Sequence, residues 1–112
     1  MNLQKLYALQ KELDSRIVSE HNLQSENLIQ RKTLALQVEI GELANETRCF
    51  KYWSDKAPSP KDVILEEYVD CLHFILSIGL EKNFQDINIE PKLTDASLTD
   101  QFLNLYIDLN DF

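Results

Sequence analysis

SPKDVILEEYVDCLHFILSIGL, Ser59 to Leu80, decides how this chain folds. Serine followed by proline reads as an N-cap and first helical position, and Pro58 and Pro60 together end whatever precedes them. From Lys61 to about Leu80 no proline follows, and Val63, Ile64, Cys71, Phe74 and Ile78 recur at helical spacing. The stretch is therefore expected to be a long, well-bounded helix with one core-forming face. Two carboxylates, Glu67 and Asp70, stand at i and i+3 inside that face. The most apolar part, Leu72 to Leu80, is interrupted by His73 and Ser77 and is too short to span a bilayer.

Working outward, the same periodicity predicts three more helices. The first runs from about Leu3 to Val18 with Asn2 as N-cap, followed by a polar stretch from Ser19 to Ser25. The second covers about Glu26 to Thr47, and an aromatic and basic segment, Arg48 to Ser59, connects it to the third. Between Glu81 and Ala96 the pattern lapses, and Asn83, Asn88, Pro91 and Asp95 mark a loop. Ser97 or Thr99 then caps a last helix, with Leu98, Phe102, Leu105, Tyr106 and Leu109 on its apolar face.

Only two glycines and three prolines occur in 112 residues, which fits few turns and long helices. A single all-α domain spanning residues 1–112, built as a four-helix bundle, is the expected architecture. An acidic chain this short is expected to complete its core by forming a homodimer. Cys49 and Cys71 lack metal-ligand spacing, and the N-terminus lacks the basic-then-apolar form of a signal peptide, so a reducing cytoplasm is the expected compartment. A net charge of −8 argues against a nucleic-acid polymer as partner, because that affinity comes from cations neutralising phosphates. A free nucleotide stays open if a metal mediates.

Several polar residues stand where apolar ones belong. Leu3, Leu6, Tyr7, Leu13 and Ile17 form one stripe on the first helix, and Gln10 and Asp14 fall inside it. A buried carboxylate or amide without a partner costs several kcal/mol, so each must bond to a neighbouring helix or face a ligand. On the second helix Glu39, Glu42 and Glu46 share a face at i, i+3 and i+7 with no interleaved lysine, which reads equally as a solvated acidic face. Glu67 and Asp70 on the third helix tip the balance. Carboxylate pairs on neighbouring helices, one of them in a core face, imply a bound cation. All candidate ligands are oxygens, so the ion should be hard; Mg²⁺ fits best, and no EF-hand loop is present to favour calcium.

These residues carry a family resemblance. EIGE at 39–42, a gap of 24, and EYVD at 67–70 resemble the E-x-x-E, E-x-x-D signature of all-α NTP pyrophosphatases. The longer strings LQKELDSRI (9–17), EIGELANETRCFKYW (39–53) and EEYVDCLHFILSIGL (66–80) look like the dimeric all-α dUTPases, over roughly residues 3–80. The resemblance implies Mg²⁺-dependent cleavage of dUTP to dUMP and pyrophosphate. It implies that Glu39, Glu42, Glu67 and Asp70 are the metal-binding and catalytic acids, with Glu39 orienting the attacking water. It further implies that Gln10, Asp14, Trp53, His73 and Phe74 shape the uracil and deoxyribose pocket. On their own residues, His73 reads equally as a surface histidine and Trp53 as a cover for the edge of the core, while Cys71 reads as a structural thiol. Lys51, Lys56 and Arg48 are candidates to reach phosphates, against the usual solvated role of such side chains.

Two departures qualify that picture. The family carries a C-terminal basic motif of lysine, asparagine and arginine, and no lysine or arginine follows Lys92 here. Either the chain is C-terminally shortened or its phosphate contacts come from elsewhere. Asp14 also stands where some relatives have asparagine, and a carboxylate accepts but cannot donate to a base carbonyl. A pyrophosphohydrolase of another nucleotide is the nearest alternative, and a helical interaction module without activity is the alternative from a different class.

Overall fold

A computed structural model describes residues 2–83 and 93–111. It contains four helices among those residues: α1 (Leu3–Glu20), α2 (Ile29–Thr47), α3 (Lys61–Glu81) and α4 (Leu98–Asn110). No strand occurs among the described residues, as the periodicity required. Residues 84–92, most of the expected loop with Asn88 and Pro91, lie outside them.

Local chemistry explains the ends. Asn2 caps α1 by accepting from the Lys5 backbone N–H at 3.0 Å. The chain leaves α1 through Asn22 in the left-handed region (φ 55°), which asparagine tolerates better than most side chains. α2 opens at Ile29, three residues later than expected. Glu26 is taken by a backbone bond to Leu23, and the Asn27 side chain accepts from the Ile29 N–H at 3.1 Å, a local turn that competes with helix.

The start of α3 corrects a second expectation. Pro60, not Ser59, is the N-cap residue, and Lys61 is the first helical one. Ser59 does not cap α3. Its hydroxyl donates to the Glu46 carboxylate and its N–H to the Glu46 carbonyl at 3.0 Å, tying the connection back to the end of α2. Of the two candidate caps for α4, Ser97 fills the role by accepting from the Asp100 N–H at 3.1 Å. Thr99 instead donates to the Cys49 carbonyl at 3.1 Å and anchors α4 against the end of α2.

The centre of the molecule is the antiparallel α2/α3 pair, with α1 packed on α3 and α4 on α2. Leu36 and Ile40 of α2 meet Cys71 and Ile78 of α3 in a buried cluster, and Leu43, Phe74, Phe102, Tyr106 and Leu109 close around it. Burying such side chains contributes roughly 1.5–3 kcal/mol each and is the main stabilising term. α4 has no fully buried residue, so its attachment rests on this half-buried face.

Both glycines sit inside helices, where glycine costs about 1 kcal/mol relative to alanine. Each admits a tyrosine. Tyr106 crosses α2 at Gly41, where a Cβ would lie 3.3 Å from its hydroxyl, and that hydroxyl donates to the Gln37 carbonyl at 2.8 Å. Tyr7, itself buried, packs so closely on Gly79 that a Cβ would fall 2.5 Å from its hydroxyl oxygen and 3.1 Å from the ring. Gly79→Ala is therefore expected to destabilise by about 1–3 kcal/mol despite the better helix propensity of alanine. Gly41→Ala should stay near neutral. Urea unfolding with unchanged m-values provides the comparison.

Candidate active site

Three carboxylates converge midway along the α2/α3 pair. One oxygen each from Glu39, Glu67 and Asp70 lies within 4.8 Å of the others, and all three residues are half-buried. The i, i+3 spacing on α3 aims Glu67 and Asp70 the same way, and antiparallel packing brings Glu39 opposite. Glu42, one turn further along α2, is exposed and outside that group of three, but it is near enough to raise the carboxyls of both Glu39 and Glu67. Glu46, the third acid of the α2 row, is drawn off by Ser59.

The electrostatics are those of a site built for a cation. Loss of water pushes the Glu39 carboxyl up to about 7, reinforced by the Glu42 charge and hydrogen bond and then by Asp70 and Glu67. Glu67 is raised as well, first by burial and then by Glu42 and Asp70. Glu39 Oε2 and Glu67 Oε2 are both shielded from water and without a hydrogen-bond partner. Buried acceptors in that state are expensive, and a divalent cation satisfies both at once. A hard cation thus fits the residues present. Beside them, burial and the charges of Glu39, Glu67 and Asp70 push the Cys71 thiol up to about 11, so it stays protonated and structural.

Farther along α3, toward its C-terminal end, a cavity of ≈ 280 Å³ opens between α1, the first turn of α2 and α3. Gln10, Asp14, His73 and Phe74 line it together. Gln10 is 5% exposed, and its amide donates to Asp14 Oδ1 at 2.9 Å while its carbonyl meets His73 Nδ1 at 2.8 Å. Phe74 joins the cavity wall to the core cluster. His73, though exposed, is thereby tied into the same network.

Three polar lining residues escaped the sequence reading as site residues: Arg31, Lys32 and Ser77. The Ser77 hydroxyl donates to Asp14 Oδ2 at 2.8 Å, and Lys32 Nζ sits 4.0 Å from the same oxygen and 2.8 Å from Glu81 Oε1. A signal for Ser77 existed, since it follows His73 by four and Asp70 by seven residues and so shares their face. Nothing in the sequence paired Lys32 with Asp14.

Trp53 is not brought to this cavity. It lies in the α2–α3 connection, at the opposite end of the pair from Lys32 and Glu81, 64% exposed and edge-on to Phe50 and Tyr52 at 6.1 and 5.2 Å. Arg48 turns inward on the same connection. It holds the left-handed C-cap of α2 (φ 59°), and its guanidinium donates to the Lys56 carbonyl and Ser54 hydroxyl at 3.1 and 2.9 Å. Lys51 lies over the Phe50 ring, 5.9 Å from its centroid.

An all-α bundle with a shielded carboxylate cluster that could hold a metal ion, one turn along α3 from a polar-and-apolar cavity, offers adjoining places for a cation and a small molecule. A family model described as dUTPase matches residues 2–112, and the chain belongs to this family of all-α dUTPases. Its reaction is hydrolysis of dUTP to dUMP and pyrophosphate, which makes it a dUTP diphosphatase of a metal-dependent kind. No curated protein and no solved structure matches the chain. No described helix is long and apolar enough to cross a membrane.

The raised acids make stability depend on pH. A carboxyl whose folded value exceeds its ordinary 4.5 stays protonated longer in the fold than in the unfolded chain, so stability falls as pH rises from about 4.5 to about 7 and then levels. Metal-free protein should therefore melt lower at pH 8 than at pH 5 through this group. Mg²⁺ should raise the melting temperature at pH 8 far more than at pH 5, because protons compete with the ion. Thermal denaturation with and without chelator, on wild type and Glu39→Gln, measures both, and the variant should show the shallower slope.

Proposed function

We propose that this chain hydrolyses dUTP with Mg²⁺ held by Glu39, Glu42, Glu67 and Asp70, and that Gln10, Asp14, His73 and Phe74 take the nucleoside. The observation carrying the reading is the pair of shielded, partnerless oxygens Glu39 Oε2 and Glu67 Oε2. A structural acidic patch has no reason to keep them. Cleavage between the α- and β-phosphates needs charge neutralisation and alignment more than covalent chemistry, and that is what a bound divalent ion supplies. No side-chain nucleophile is required, in keeping with the protonated Cys71.

The chain's own residues do the rest. Glu67 and Asp70 hold the ion's position from the rigid core helix, and Glu42 reaches in from its exposed turn. Glu39 accepts from and orients the attacking water. The nearby cavity keeps the base and sugar at a fixed distance along α3, and its lining includes Lys32, paired with Glu81, and Arg31, paired with Glu26. Residues 1–112 act as one catalytic domain, working in the cytoplasm.

Homodimerisation completes the proposal. Leu9 on α1 and Val69 on α3, which line one groove, are 56% and 45% exposed, apolar surface a 13.1 kDa monomer would leave wet. In such a dimer Trp53 would act on the site of the neighbouring copy, since its own cavity lies at the far end of the helix pair. Sedimentation equilibrium at tens of micromolar is expected to show about twice the monomer mass, and a monomer throughout would remove this assignment of Trp53.

Glu42→Gln and Asp70→Asn are each expected to lower Mg²⁺-dependent hydrolysis by about 10²-fold or more without loss of helical content, read by pyrophosphate release and circular dichroism. Wild-type turnover in either variant at the same Mg²⁺ would remove these ligands from the proposal. Among the common deoxynucleoside triphosphates dUTP should be preferred. Discrimination against dTTP, one methyl group, is expected at about 10–200-fold, and against purines and cytosine it should be larger because hydrogen bonds are lost. Equal rates across them would leave a generic pyrophosphohydrolase.

A further inference from the structure

The hydrogen bonds around Gln10 run in one direction, and the direction has a chemical consequence. Ser77 Oγ–H donates to Asp14 Oδ2 at 2.8 Å, Gln10 Nε2–H donates to Asp14 Oδ1 at 2.9 Å, and Lys32 Nζ stands 4.0 Å from Oδ2. Every group presented to Asp14 is a donor or a cation, the surroundings of an anion. Gln10 is buried and its two ends differ. With the amide turned over, Gln10 Oε1 would face Asp14 Oδ1 at 2.9 Å, acceptor against acceptor. Asp14 therefore selects the observed orientation, which leaves Gln10 Oε1 for the imidazole of His73, 2.8 Å from Nδ1.

A carbonyl oxygen only accepts, so His73 must donate from Nδ1. A neutral imidazole protonated at Nδ1 carries a bare lone pair on Nε2. Uracil has one ring donor, its N3–H, between two carbonyl acceptors. Cytosine has a lone pair at the same atom. An unprotonated Nε2 suits the first and repels the second.

We propose that Asp14 is a positioning residue: braced by Ser77 and Lys32, it orients the Gln10 amide and thereby sets His73 in the Nδ1–H tautomer, presenting Nε2 as an acceptor to the N3–H of uracil. Asp14 lines the cavity with Gln10, His73 and Phe74 and acts on the base through the first two. This also answers the difficulty that a carboxylate cannot donate to a base carbonyl, because each Asp14 oxygen accepts from a protein donor instead. The clause about uracil rests on the dUTP reading, whereas the tautomer does not.

Two-bond ¹H–¹⁵N correlation spectra of the imidazoles, recorded on the full chain well above the ordinary range of histidine titration, read the tautomer directly. The only other histidine, the exposed His21, is assigned by His21→Asn and serves as an internal reference for a free ring. His73 is expected to be predominantly Nδ1–H in wild type, where a free histidine prefers Nε2–H. Asp14→Ala should return His73 toward the pattern of His21, and Asp14→Asn, whose amide oxygen can still accept from Gln10, should restore Nδ1–H. Predominant Nε2–H in the wild-type protein overturns the proposal, and that spectrum decides it even if Asp14→Ala fails to fold. An unchanged tautomer in folded Asp14→Ala overturns it too.

Steady-state kinetics separate the two clauses. Asp14→Ala is expected to raise KM for dUTP about tenfold, the loss of one hydrogen bond, with a smaller change in kcat, and Asp14→Asn to recover most of it. If the tautomer follows the prediction but dUTP is not hydrolysed by wild type, the relay stands and the substrate reading falls. If dUTP is hydrolysed and KM ignores Asp14, the relay does not serve the base.

Discussion

Two carboxylate oxygens, Glu39 Oε2 and Glu67 Oε2, are held between α2 and α3 without water and without a partner, and the rest of the molecule is arranged around that cost. Mutual repulsion there works against the helix pair that forms the core. The opposing forces lie on either side along the same pair. Leu36, Ile40, Cys71 and Ile78 bury apolar surface around the cluster. At the ends, Ser59 ties to Glu46 and Lys32 ties to Glu81, so the pair is clamped beyond the repulsive zone at both limits. The two tyrosines bearing on Gly41 and Gly79 bring α4 and α1 in close without disturbing the middle.

α3 divides the chemistry by height. Its middle carries Glu67 and Asp70, where negative charge is concentrated and where Cys71 is kept as an inert thiol. One and two turns later come His73 and Ser77, whose neighbours on α1 form a directed chain of hydrogen bonds instead of a charged cluster. A nucleoside triphosphate has the same division, a polyanion joined to a neutral base through a sugar. The rigid helix sets the spacing between the two halves, a form of positioning that loops would supply less well.

The connection between α2 and α3 shows how one segment serves structure and leaves function to its tip. Arg48, a basic residue close to an acidic site, is consumed inside the segment by Ser54 and Lys56. Tyr52 and Trp53 remain exposed on its outside. Charge near phosphate-binding groups therefore does not by itself make a phosphate ligand; the side chain's own loop competes for it, and here the loop wins.

Helix number, order and approximate limits were legible in the sequence because they depend on local periodicity and on few, well-placed breakers such as Pro58 and Pro60. So was the conflict of Gln10, Asp14, Glu67 and Asp70 with their apolar faces, since a polar residue at a core register is visible without knowing what it meets. The family followed from strings around those residues, and the match over residues 2–112 agrees. Competition between partners was not legible. Ser59 has equal local claims on α3 and on Glu46, and only the return of the chain beside α2 made the second available. Lys32 and Ser77 found Asp14 from 18 and 63 residues away, and Trp53 was carried to the opposite end from the cavity, because side-chain partners across helices are set by packing geometry that sequence spacing does not encode.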